Sequence, residues 1–172
     1  MRRIAAIALL GLTLAACATT SRYDAAGDVH ALLVAIRDND RAAFDRYVDR
    51  RALKNSLEAR LMREVGKRDM DDGARALAAL VAPGLADAAV DGLVRPEAFR
   101  AAASYYGYTP DQPIPNRIAI GGALKYRPDG SVCATRKKDG PCLLVFTNTD
   151  GTWRLSAFEG DLADLRGKPR KK

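Results

Sequence analysis

Residue types that commonly carry chemistry are sparse in this 172-residue chain, which has three cysteines, at positions 17, 133 and 142, and one histidine, His30. Hydrolytic or redox catalysis needs a base beside a nucleophile, or a metal held by several His, Cys, Asp or Glu side chains. His30 falls on the flank of an apolar helical stripe, with no Cys or Asp in a recognisable arrangement beside it, and reads as a boundary residue. Cys133 and Cys142 make no CxxC, and G-x-S-x-G, S-x-x-K, H-E-x-x-H and phosphate-binding glycine loops are all missing from the sequence. The acidic run "DND" at 38–40 lacks a third calcium ligand at Ala42, a central glycine and a distal glutamate, and "DMDDG" at 69–73 fails the same test. Both read as turn and helix-capping chemistry. The expectation is a non-catalytic domain without cofactor or metal. The alternative is a hydrolase-type enzyme whose carboxylates converge from separate elements.

Cys17 sits in a different context. Arg2 and Arg3 precede an apolar stretch from Ile4 to Leu14, about half the length a membrane-spanning helix needs, and "LAAC" at 14–17 ends it. This is the pattern of a cleaved signal peptide, and Leu14-Ala15-Ala16-Cys17 resembles the lipobox of bacterial lipoproteins. The resemblance implies cleavage before Cys17 and acylation of that residue, and two or more acyl chains anchor stably. Ala18 stands where inner-membrane-retained lipoproteins often carry Asp, so the resemblance favours the periplasmic face of the outer membrane. The implied organisation is a signal at 1–16, a tether at 17–27, one α+β domain at 28–161 and a basic tail at 162–172.

With Cys17 assigned to lipid, two cysteines remain in an oxidising compartment, and an even pair there invites a disulfide. They flank "ATRKKDGP", which reads as a hairpin turn. A loop of about four residues places Cys133 opposite Cys142 within bridging distance, whereas a register shifted by two separates them. The expectation is a bridge, against two buried free thiols. The formal net charge of +7 is partly terminal, in Arg2, Arg3 and the tail "RGKPRKK", and reads as a solvated end. No stacking motif accompanies it, so nucleic acid is not an expected partner.

The elements that must position these residues follow from periodicity. Val29, Leu32, Leu33 and Ile36 make one apolar helical face, Asp40 caps a helix carrying Phe44, Tyr47 and Val48, and a third helix runs from about 49 to 67. Leu77, Leu80, Val81, Leu85, Ala88 and Ala89 keep helical spacing, with Pro83-Gly84 expected to kink or break the helix, and Pro96-Glu97 opens another. After a Pro-rich connector the period changes to two. Strands are expected at "RIAIGGALKYR", after Ser131, at "CLLVFTNT" and at "TWRLSAF", with Asn148 facing Trp153, Phe146 facing Leu155 and Leu144 facing Ala157 across Asp150-Gly151. The fold class is α+β: N-terminal helices packed on one face of a C-terminal four-stranded antiparallel sheet.

The segments "AIRDNDRAAFDRYVDRRALKNSLEARL" and "LADAAVDGLVRPEAF" resemble the bacterial family known as domain of unknown function 2939, over about residues 28–106. That resemblance implies no activity and carries no functional residues. A helical hairpin before a sheet ending in "DGTWRL" is similar to the nuclear-transport-factor-2-like fold, a cone that often holds a ligand. Tyr105, Tyr106, Tyr108, Tyr126 and Trp153 are candidates for lining such a mouth, against the alternative that they close the core. The expected function is that of a cell-envelope lipoprotein, held to the membrane by its lipid, whose domain binds a small apolar ligand or an envelope protein. The protein-binding version requires a contiguous exposed apolar patch.

Overall fold

The computed structural model describes residues 22–67, 71–105, 108–135 and 140–160. Cys17, the signal segment, Tyr106 and the basic tail lie outside them. A first helix, α1, runs through residues 22–38, so that residues 22–27, part of the expected tether, are helical, and Ala25 and Ala26 are buried. Asn39 adopts φ 58°, and the Asp40 side chain accepts a hydrogen bond from the Ala43 N–H to cap α2 (Arg41–Arg46). Asp49 in the same way caps α3 (Arg50–Gly66), and Asp71 caps α4 (Asp72–Leu93). Asp40, Asp49 and Asp71 thus serve the helix starts, where orphan N–H groups need acceptors.

Helix α4 continues across Pro83, so of the expected kink or break the break does not occur. Proline removes one hydrogen bond of the helical ladder, and the alanine- and leucine-rich flanks carry the helix on. After α5 (Pro96–Tyr105), the segment expected as the first strand is mostly helical: α6 spans Arg117–Ala123 and leads into a short β1, Leu124–Tyr126. The Asn116 side chain caps α6 through the Ala119 N–H, and Ile120 is buried while Ile118 is exposed. The apparent alternation of Ile118 and Ile120 was compatible with a strand, but the cap favours a helical turn.

Strands β1, β2 (Val132–Thr135), β3 (Cys142–Thr149) and β4 (Thr152–Phe158) form an antiparallel meander in that order. Asn148 pairs with Trp153 and Phe146 with Leu155, as expected, but a bulge between Val145 and Phe146 moves Leu144 from Ala157 to Phe158. An extra residue in one strand shifts all later pairs by one. Residues 47–49 add a short parallel bridge to the free edge of β4, with Asp49 N–H donating to the Leu155 carbonyl and Leu155 N–H to that of Tyr47.

The core lies between the helices and one sheet face. Ala25, Val29, Leu32 and Ile36 of α1 pack with Phe44, Val48, Leu53 and Val90 against Leu124, Val132, Phe146, Trp153 and Leu155. Phe44 meets Phe99 of α5 edge to face at 5.5 Å. Helix α3 packs along β4, and α4 lies against α3.

Candidate functional site

Cys133 and Cys142 are joined by a disulfide with a Cα separation of 5.6 Å. They are not direct cross-strand partners: Cys133 pairs with Val145 and Cys142 with Thr135, because the register shifts between Ala134 and Thr135. Cys133 is fully buried, so the bridge ties the hairpin from inside the fold.

The remaining chemistry-bearing side chains are dispersed. His30 is half-buried, with Nδ1 3.0 Å from the Pro115 carbonyl, a contact that fastens α1 to the connector before α6. Among the described residues, no three His, Cys, Asp or Glu side chains gather as a metal site. Arg127 donates to Glu159 at 2.8 Å, which raises its pKa, and Asp129 accepts from the Ser131 N–H and hydroxyl, which lowers its carboxyl below the ordinary value. These groups pin the β1–β2 turn. A groove of about 510 Å³ between α3 and α4 is lined by Arg50, Arg51, Lys54, Asp87 and Asp91 among others, and the Lys54–Asp87 pair spans it at 2.7 Å. Arg50 is itself occupied by Asp45 at 2.8 Å.

Among the described residues, the aromatic candidates Tyr126 and Trp153 stand apart. Trp153 is 6 % exposed in the core, whereas Tyr126 is 41 % exposed on β1, at the opposite end of the strand order. Tyr108 is exposed, and Tyr105 ends α5. The side chains of Tyr105 and Tyr106 lie outside the described residues.

The feature that stands out is α4. Its buried side chains are small: Ala82, Ala86 and Val90, spaced by four, form the face toward α3. Leu77, Leu80, Val81 and Leu85, on the other faces, are 53–77 % exposed. The helical spacing of Leu77, Leu80, Val81, Leu85, Ala88 and Ala89 does not by itself assign a buried face; the buried set is the alanine-bearing one at 82, 86 and 90, which turns the leucines outward. From Ala76 to Ala86 the helix bears no charge, while Asp71, Asp72, Asp87 and Asp91 sit towards its ends. By length and composition α4 could cross a membrane, and little of it is buried. A helix apolar on all sides normally has a partner on all sides. This helix therefore carries a contiguous exposed apolar patch.

No curated protein and no solved structure matches the chain. The family model described as protein of unknown function (DUF2939) matches residues 10–102, from the N-terminal apolar segment through the α3–α4 hairpin into α5. The sheet lies beyond that match. With more than half of its length inside it, the chain belongs to the DUF2939 family.

Proposed function

We propose that this protein is a non-catalytic lipoprotein of the bacterial cell envelope, acylated at Cys17 and held at the periplasmic face of the outer membrane, whose domain works through the open face of α4. The carrying observation is that Leu77, Leu80, Val81 and Leu85 form an uncovered apolar strip on one helix of a fold whose core is complete without them. The signal-like run before Cys17 supports the anchor, and the family match begins within that run, at residue 10. The disulfide suits an oxidising compartment. The strip is favoured over a tyrosine-lined mouth because, of the described candidates, Tyr126 and Trp153 stand apart.

Metabolic labelling with an alkyne analogue of palmitate tests the anchor. The full chain incorporates the label and sediments with envelope membranes, whereas Cys17→Ser loses both properties. Label retained in Cys17→Ser, or none in the wild type, contradicts the reading.

A further inference from the structure

We infer that the α4 strip seats on the phospholipid bilayer itself, giving the domain a second membrane contact beside the lipid; the inference rests on the anchor reading above. Three observations converge on the bilayer as occupant. The first is where the chain emerges. Leu124, Ala134, Leu144 and Phe158 pair in one row across the sheet, and Arg60 of α3 donates to the Phe158 carbonyl at 3.3 Å, so this row marks one end of the sheet and α3 continues past it to Gly66. The start of α1 lies beside α6 and β1: α6 leads directly into Leu124, a β-carbon at Gly121 would fall 2.8 Å from the Tyr23 ring, and Asp28 then reaches the Trp153 N–H of β4. Cys17 is five residues before Arg22, a reach of about 17 Å at most. A lipid on Cys17 therefore keeps the domain, and α4 with it, within a short tether of the bilayer.

The second observation is the distribution of charge. The uncharged stretch from Ala76 to Ala86 can sit against acyl chains while Asp71, Asp72, Asp87 and Asp91 stay among hydrated headgroups. On the neighbouring helix Arg63 and Lys67, the latter paired with Glu64 at 2.9 Å, are exposed beside a partly exposed Met62, so Arg63 can stand at headgroup level. The third is size: the strip is four large side chains on one helix, far fewer than the roughly 20–30 residues a side of a standard protein interface. Tethering removes that shortfall for a bilayer, because the contact becomes intramolecular.

The test uses the full chain, purified from envelopes, carrying Leu80→Trp or, as a control on the groove side, Asn55→Trp. Each is reconstituted in vesicles of phosphatidylethanolamine and phosphatidylglycerol with brominated acyl chains, with buried Trp153 as internal reference. Leu80→Trp is expected to shift to the blue and be quenched, Asn55→Trp to be unaffected, and Leu77→Asp added to Leu80→Trp to weaken partitioning about tenfold. Acylation of Cys17 is read by mass on the same samples. Acylated protein without quenching at position 80 overturns the inference and leaves the anchor standing. Quenching without acylation supports the seat and removes the anchor. Concentration-dependent self-association with position 80 unquenched also overturns it, assigning the strip to a second copy.

Discussion

The carboxylate of Asp28 accepts a 2.8 Å hydrogen bond from the backbone N–H of Trp153, joining α1 to β4 across 125 residues of sequence. The bond is half-buried and charge-assisted, so it sets where the first helix crosses the last strand. Asp28→Ala is expected to lower stability by about 2 kcal/mol, and Asp28→Asn, which keeps an acceptor oxygen, by about half that. Urea unfolding followed by circular dichroism measures both. A change below about 0.5 kcal/mol for Asp28→Ala, the range of ordinary surface substitutions, contradicts this role.

The bridge between Cys133 and Cys142 closes a sequence separation of nine. For a loop of that size, chain entropy alone predicts a loss of about 2.5 kcal/mol on replacing both residues by serine. Thermal unfolding reads the loss. Alkylation before and after reduction should label these two thiols only after it.

At the β1–β2 turn, Asp129 holds the Ser131 hydroxyl at 2.6 Å and its N–H at 3.0 Å, and these bonds lower the carboxyl pKa from 3.8. A depressed folded-state value means that the contribution is present above about pH 4 and is lost as pH falls through the folded value. Arg127 stays protonated throughout, its pKa raised chiefly by Glu159. An NMR titration should place the Asp129 midpoint below 3.8, and Ser131→Ala should move it upward. A midpoint at or above 3.8 in the wild type contradicts the assignment.

Substitutions on α4 should sort by face. Ala86 is fully buried, so Ala86→Leu forces α3 and α4 apart at a cost of about 1–3 kcal/mol. Leu80, 77 % exposed, should tolerate Leu80→Ser within about 0.5 kcal/mol, whatever that change does to binding. Chemical unfolding of the two variants checks the ordering, which a leucine-faced core would reverse.

Much of the architecture was legible because patterning and local chemistry agreed. Asp40 and Asp49 precede apolar helical faces, and Asp150-Gly151 supplies the two positive φ values that a tight hairpin needs. What escaped was decided by tertiary context. Ile118 and Ile120 fit a period of two, but the Asn116 cap made the segment helical. The bulge that moves Leu144 opposite Phe158 leaves no composition signature. On α4 both a leucine set and an alanine set keep helical spacing, and only the close packing of α3 selects the alanines. The open strip was hidden for that reason: apolar periodicity identifies a buried face only when one face alone is apolar.

The most direct test of the account asks whether the outer face of α4 is covered where the protein works. With Cys133 and Cys142 bridged, Leu80→Cys introduces a thiol whose labelling by a membrane-impermeant maleimide can be read peptide by peptide in isolated, opened envelopes. Asn55→Cys, exposed on α3, is the reference. Position 80 is expected to be protected until detergent is added while position 55 labels at once. Equal labelling of the two positions before detergent would contradict it.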